Sequence, residues 1–343
     1  MTETLRAYTQ ADATPVLQGT RIAVIGYGSQ GRAHAMNLHD SGLDVVIGAR
    51  PDGPSHGRAM ADGFEVASPV DAAKQAQFIA MTAPDMAHRE IFQDAIAPNL
   101  DEGDTLMFAH GFSVLYGHVR PPKGIDVILV APKGPGDLVR KEYERDRGVP
   151  CLFAVHQDAT GKAHEKAIAY AHGLGGTRAA LFETSFKDET ETDLFGEQAV
   201  LCGGATELVK MGYETLVEAG YPRELAYYEC LHELKLIVDL LYEGGITKMH
   251  EFISETAIYG DLRSGRRIIN EETRERMRTI LSEIQSGQFA REWDEENAAG
   301  RPVYNQRLQE DFDHSIEEVG KMLRGHMTWL QEDARTAAME AAE

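Results

Sequence analysis

Short β-branched runs alternate with helix-length stretches through the first half of this chain and then stop, and that change of pattern constrains the fold more than any other feature. Between Thr20 and about Glu183 the runs are RIAVIG (21–26), DVVIGA (44–49), FIAMTA (78–83), TLMFAH (105–110), DVILVAP (126–132) and VPCLFAVH (149–156). Strand, helix, strand repetition predicts a parallel sheet wrapped by helices. After TSFKDET only helix-period segments follow, at 190–219, 222–243, 246–258, 271–286 and roughly 305–331. The expected organisation is an α/β domain over residues 1–184 and an all-α domain over 185–330. Residues 331–343, ending RTAAMEAAE, offer no apolar face to bury and read as a disordered tail.

Charge narrows the partners. A net charge of -21 opposes nucleic acid and acidic membrane surfaces, while small anions can still be held by local Arg, Lys or amide groups. Cys151, Cys202 and Cys230 form no CxxC pair, so neither a disulfide framework nor a zinc site is expected, and a reducing cytosol fits best. No basic flank precedes an apolar segment at the N-terminus, and no apolar run approaches membrane-spanning length. The chain is expected to be cytoplasmic, neither exported nor membrane-spanning.

RIAVIG runs directly into GYGSQGRAHAMNLHDSG, placing Gly26, Gly28 and Gly31 in G-x-G-x-x-G spacing where a helix opens. The first glycine makes the tight turn, the second lets a pyrophosphate approach the backbone, and the third lets the helix pack on the sheet. In a chain with 33 glycines the triplet alone says little; the strand before it and the helix after it make it a Rossmann-type dinucleotide-binding turn. The end of the second strand decides between cofactors, because an acid there binds the ribose 2′-hydroxyl and repels a 2′-phosphate. Here Ala49 and Arg50 precede PDGPSHGR. Arg50, joined by Ser55 and Arg58, favours NADP(H), whereas Asp52 pulls the other way unless it only faces solvent in a PDG turn.

His110 closes the fourth run in FAHGF, at the carboxyl end of a parallel strand, where doubly wound folds put their chemistry. Lys133, in VAPKGPG, ends the next run within reach of the same crevice; a loop-capping histidine and an exposed lysine are the plainer readings. Ser254, in FISETAIYGD, reads first as a helix N-cap and second as a substrate donor.

Asp193 and Glu197 in DETETDLFGEQAVLCGG, and Glu229 and Glu233 in YYECLHELKLIVDLLY, stand four apart and so share a helix face. With 55 acids, roughly nine such pairs arise by chance, so the apolar setting is the stronger signal. Leu231, Leu234, Ile237, Val238 and Leu241 surround the second pair and are expected to be buried. Carboxylates beside a core call for a cation, and oxygen-only ligands point to Mg²⁺ or Mn²⁺.

Taken together, VIGYGSQGRAHAMNLHDSG, MFAHGF, VAPKGPG, KDETETDLFGEQAVLCGG, YYECLHELKLIVDLLYEGG and ISETAIYGD resemble, in order, the ketol-acid reductoisomerases in their short class I form, over about residues 10–330. The resemblance implies a Rossmann domain followed by a knotted all-α domain, and an enzyme of valine and isoleucine biosynthesis. It implies two Mg²⁺ ions, Asp193 bridging them, Glu197 on the first, and Glu229 and Glu233 on the second. Ser254 then hydrogen-bonds the substrate, and His110 and Lys133 are polar members of the site on the cofactor side. Tyr27, Ser29 and Gln30 in the turn, with His110 and Gly136, complete the expected cofactor contacts. The helices carrying Glu229, Glu233 and Ser254 are expected from a partner subunit, making a dimer the smallest active unit and a dodecamer possible in this class. The reaction implied is alkyl migration in (S)-2-acetolactate or 2-aceto-2-hydroxybutyrate, then reduction to the (R)-2,3-dihydroxy acid, with Glu233 or a metal-bound hydroxide taking the alcohol proton.

One departure bears on the cofactor. Class I members commonly show Gly-Ser-x-Ser after the loop arginine, whereas this chain has Asp52, Gly53, Pro54 and Ser55. NADPH is favoured, with NADH or dual use open. The rival reading is a metal-independent β-hydroxyacid dehydrogenase, which also joins a Rossmann domain to a helical one; a nucleotide-sensing module gains nothing from the carboxylates.

Overall fold

The computed structural model describes residues 5–329, so the tail expected over 331–343 lies outside the described residues. The chain divides after Thr190 into two compact units.

In the first unit the described residues form one nine-stranded sheet: β1 (Ala7–Tyr8), β2 (Arg21–Ile25), β3 (Asp44–Gly48), β4 (Glu65–Ala67), β5 (Phe78–Met81), β6 (Thr105–Phe108), β7 (Asp126–Pro132), β8 (Cys151–Gln157) and β9 (Leu181–Glu183). The order is β1-β9-β8-β7-β6-β5-β2-β3-β4. Its helices are α1 (Ser29–Asp40), α2 (Pro54–Ala61), α3 (Pro69–Gln75), α4 (Asp85–Ile91), α5 (Phe112–Leu115), α6 (Gly136–Glu144) and α7 (Ala163–Gly173). The central strands read as continuous apolar runs because both faces are covered. Ile22 and Val24 face a core shared with Leu38 of α1 and Tyr170 of α7. Ala23 and Ile25 face the opposite core with Ala72 and Ala73 of α3.

Two sheet details differ from the sequence reading. The short strands β1, β4 and β9 carry too few residues to show a period. The expected parallel strand 149–156 is antiparallel: β8 pairs with β7 from Pro132↔Cys151 to Val127↔Gln157. The physical reason is local. A parallel return needs a crossover that travels back along the sheet, but α6 packs on α1 and the chain re-enters where β7 stopped, with Lys133 N–H donating to Pro150 C=O at 2.8 Å.

Helix α8 (Phe186–Gly196) runs through the division. The second unit continues with a π-turn at Glu197–Leu201, α9 (Gly203–Glu218), α10 (Arg223–Tyr227), a second π-turn at Tyr228–His232, and α11 (Glu233–Phe252). Then come α12 (Glu255–Ile268), α13 (Glu271–Gln285), α14 (Gln288–Ala298), α15 (Pro302–Phe312) and α16 (Ser315–Arg324). The segment expected at 246–258 is not one helix. Gly244 and Gly245, the latter at φ +71°, kink α11, and Ser254 starts α12 as its N-cap. The segment expected at 305–331 is two helices broken at Asp313–His314. This unit's own core is small, built from Tyr213, Ala226, Tyr227, Ile316, Val319 and Leu323.

The expectation that the flanks of Glu229 and Glu233 are buried does not hold in the single chain. No residue of α11 is buried, Leu231, Leu234 and Ile237 are half-buried, and Val238 and Leu241 are exposed. The sequence reading took an apolar stripe for a core of the same chain, whereas this unit's described residues cover it only in part, Leu231 packing on the small core while Val238 and Leu241 face outward.

Cys151 is buried, Cys230 half-buried and Cys202 exposed, all as free thiols. No helix among the described residues is long and apolar enough to cross a membrane.

Candidate active site

The glycine-rich turn lies where β2 sits between β5 and β3, the point at which strand order reverses and doubly wound sheets open a crevice. Gly26 takes φ +98°, and a Cβ there would stand 2.7 Å from Ala83 N. A Cβ on Gly31 would collide with the Gly26 carbonyl and stand 2.7 Å from Thr82 Oγ1. At Gly28, by contrast, it would meet nothing within 4 Å. The three positions thus do three jobs: turn, open approach and close packing. Gly28 is the N-cap of α1, and among the described residues no side chain caps it, leaving first-turn N–H groups for an anion. Residues and space fit a dinucleotide pyrophosphate.

The loop after β3 is closed by Gly53 N–H donating to Arg50 C=O at 3.0 Å. Arg50 and Asp52 are exposed, and Ser55 is half-buried in the first turn of α2. Gly53 caps α2 without a side chain, so the helix N-terminus adds to Arg50 in favour of a phosphate.

His110 and Lys133 meet on a residue the sequence reading passed over. Glu189, only 1% exposed, accepts from Lys133 Nζ at 2.8 Å and from Gly111 N–H at 3.1 Å, with His110 Nδ1 3.1 Å from Oε2. Burial alone would raise the Glu189 carboxyl, but the bonds and charges of His110 and Lys133 outweigh it and hold it below the ordinary range. The loop reaches α8 because residue 111 is glycine: a Cβ there would collide with Thr190 Oγ1 and lie 2.9 Å from Phe186 C=O. The signal in the sequence was spacing. Glu189, Asp193 and Glu197 stand at i, i+4 and i+8.

Gln30 and Ser29, expected on the cofactor, also tie the turn to the lysine loop. Gln30 Nε2 donates to Gly134 C=O at 2.9 Å, and Ser29 Oγ lies 3.4 Å from Asp137 Oδ1. Gly136 seats directly on the turn, where any Cβ would collide with the Ser29 carbonyl. Gly136→Ala is therefore expected to destabilise the protein by about 1–3 kcal/mol and to weaken dinucleotide binding. A chemical melt and a binding titration check this, and a variant matching the parent in both would refute the contact.

The acids of the second unit occupy an unusual backbone. Asp193 is half-buried on α8, and Glu197 opens the first π-turn. Glu229 lies within the second π-turn and Glu233 directly after it. Both pairs thus meet wide turns, which recur at functional sites. Glu197, Glu229 and Glu233 are exposed, and among the described residues none of these three joins a trio close enough to share one ion. The donor chemistry suits Mg²⁺, while one chain alone does not gather it. Ser254 is exposed and caps α12, its Oγ accepting from Ala257 N–H at 3.1 Å.

A phosphate-ready Rossmann turn and, in the same unit, a buried carboxylate binding a lysine and a histidine define a dinucleotide-dependent enzyme of the two-domain oxidoreductase kind. The sequence profile described as "Acetohydroxy acid isomeroreductase, NADPH-binding domain" matches residues 16–180, and that described as "Ketol-acid reductoisomerase, C-terminal domain" matches 186–329. The chain belongs to the ketol-acid reductoisomerase family. A ketol-acid reductoisomerase (NADP(+)) of Xanthomonas oryzae pv. oryzae (strain MAFF 311018) is 58% identical over 94% of this chain and 96% of its own. One from Xylella fastidiosa (strain 9a5c) is 58% identical over 91% and 89%. Among solved structures, an NADH-preferring ketol-acid reductoisomerase from an uncultured archean is 43% identical with a TM-score of 0.92, covering 94% of this chain and 99% of that one. The metal-independent dehydrogenase reading gives way to this membership.

Proposed function

We propose that this chain, a cytoplasmic enzyme of valine and isoleucine biosynthesis, converts (S)-2-acetolactate or 2-aceto-2-hydroxybutyrate into the (R)-2,3-dihydroxy acid by alkyl migration and reduction. The observation that carries the reading beyond simple reduction is the pair of acid-bearing π-turns, an oxygen-only donor set on helices left bare in one chain. Asp193 and Glu197 of one copy and Glu229 and Glu233 of a second copy would hold two Mg²⁺. When bound, these ions supply Lewis acidity to the ketone and alcohol oxygens of the substrate. Glu233 accepts the alcohol proton. Ser254 keeps its O–H to donate to the substrate while its oxygen caps α12. Lys133 and His110, oriented by Glu189, present N–H donors where charge develops on the reduced oxygen.

NADPH is the preferred reductant. Arg50, Ser55 and the N-terminus of α2 support a 2′-phosphate, as does the NADP(+) in the names of the Xanthomonas and Xylella relatives. Asp52 opposes it, and the archaeal relative shows that the family also uses NADH. A dimer is the smallest active form. Tyr242 is 89% and Ile246 66% exposed on α11, an apolar stripe that a second copy would cover.

The test is NADPH oxidation with 2-acetolactate. Turnover is expected only with Mg²⁺, lost in EDTA and restored by excess Mg²⁺. Undiminished oxidation in EDTA would leave a plain dehydrogenase in place of this reading.

A further inference from the structure

Helix α2, which carries Ser55 directly after Arg50 and Asp52, is eight residues long, and only Ala59 within it is buried. So thin a contact does not fix a helix to a fraction of an ångström. Its C-cap residue, Asp62, is nonetheless held by three hydrogen bonds from two side chains. With its side chain only 7% exposed, Asp62 accepts from Tyr27 O–H at 2.8 Å, Arg32 Nε at 2.8 Å and Arg32 Nη2 at 3.1 Å. Tyr27, 1% exposed, belongs to the glycine-rich turn; Arg32 follows Gly31 on α1. An acid at a helix C-terminus is opposed by the helix dipole, so α2 itself gives no reason for one there. Burial would raise the Asp62 carboxyl, yet the hydrogen bonds from Arg32 and Tyr27 outweigh it and keep it ionised. Burial and the bond to Asp62 raise the Tyr27 phenol, which keeps its proton.

We propose that Asp62 is a positioning residue for cofactor discrimination: through Tyr27 and Arg32 it fixes the register of the Arg50–Ser55 loop against the pyrophosphate-binding turn. The inference rests on the dinucleotide reading of that turn. Both NADP(H) and NAD(H) place a pyrophosphate on Gly26–Gly31, and the two differ only at the ribose 2′ position, which the loop reads. Loosening the clamp therefore changes the ratio of the two affinities rather than the chemistry at Lys133 and Glu189. The Arg32–Asp62 pair carries no net charge, so its effect is one of placement.

The experiment titrates NADP⁺ and NAD⁺ separately into the full-length parent, Asp62→Ala, Asp62→Asn and Tyr27→Phe by protein fluorescence, alongside thermal midpoints and steady-state kcat. In Asp62→Ala the ratio of dissociation constants is expected to move about tenfold toward parity, the loss of a charge-assisted bond network. The kcat at saturating dinucleotide should stay within about twofold of the parent. Asp62→Asn, which still accepts from Tyr27 and Arg32, should recover most of the ratio, and Tyr27→Phe should move it part of the way. A parent that prefers NAD⁺ contradicts the NADPH reading alone; movement toward parity in Asp62→Ala still decides the present one. Equal weakening of both dinucleotides, an unmoved ratio, tighter NADP⁺ binding in Asp62→Ala, or a parent with no preference would each overturn it. If Asp62→Ala does not fold, the ratio in Tyr27→Phe decides in its place.

Discussion

Glu189→Gln is expected to lower kcat by about two to four orders of magnitude, the factor that corresponds to the roughly 3–5 kcal/mol at stake when one partner of a buried ion pair is removed. The amide leaves the Lys133 ammonium without its countercharge and offers Gly111 N–H and His110 a weaker acceptor. Dinucleotide affinity should change less than about threefold, since the glycine turn is untouched. The sign of the pH effect follows from the depressed carboxyl. A lowered folded-state value stabilises the protein fully above the ordinary glutamate pKa of about 4.3 and less as the pH falls toward the folded value. The parent should therefore lose stability on that acid limb and Glu189→Gln should lack that share of the loss. Rapid-mixing turnover with acetolactate, a dinucleotide titration and melts across acidic pH measure all three. A kcat within threefold of the parent would remove Glu189 from the site.

The second large effect is expected from a charge placed on the bare face of α11. Ile246→Asp sets a carboxylate among the apolar side chains that α11 leaves exposed in the single chain, with Val238, Leu241 and Tyr242 before the Gly244–Gly245 kink and Ile246 just after it. In an isolated chain such a change meets water and costs almost nothing. At a buried interface it leaves an unpaired charge and separates the copies, taking Glu229 and Glu233 away from Asp193 and Glu197. Sedimentation should show monomers, and kcat/KM should fall by at least about a hundredfold. An intact dimer with parental activity would place the interface elsewhere.

Much of the first unit was legible because its signals are local. β2 and the glycine triplet announce each other, Lys133 directly follows β7, and His110 stands two residues past the end of β6, both at the carboxyl edge. Glu189 was not legible in the same way. In DETETD four acids crowd together, and which of them turn inward, Glu189 and Glu191 as it proves, depends on where α8 starts after β9, a matter of tertiary placement. The π-turns have no sequence signature either; the i, i+4 spacing of the acids is the same whether the wide turn is present or not. The reversal of β8 followed from α6 choosing α1 as its neighbour, which no periodicity records. The apolar stripe of α11 was read correctly as apolar and wrongly as covered by its own chain, because hydrophobicity does not say which chain supplies the cover.

The seat of Gly136 on Ser29 is backbone against backbone. Such a contact has no charge for salt to screen and no titratable group for acid to protonate. The spacing between the anion-binding turn and the root of Lys133 thus has a limit set by atomic radii, a fixed ruler in a site whose Lys133–Glu189 ion pair answers to pH and ionic strength.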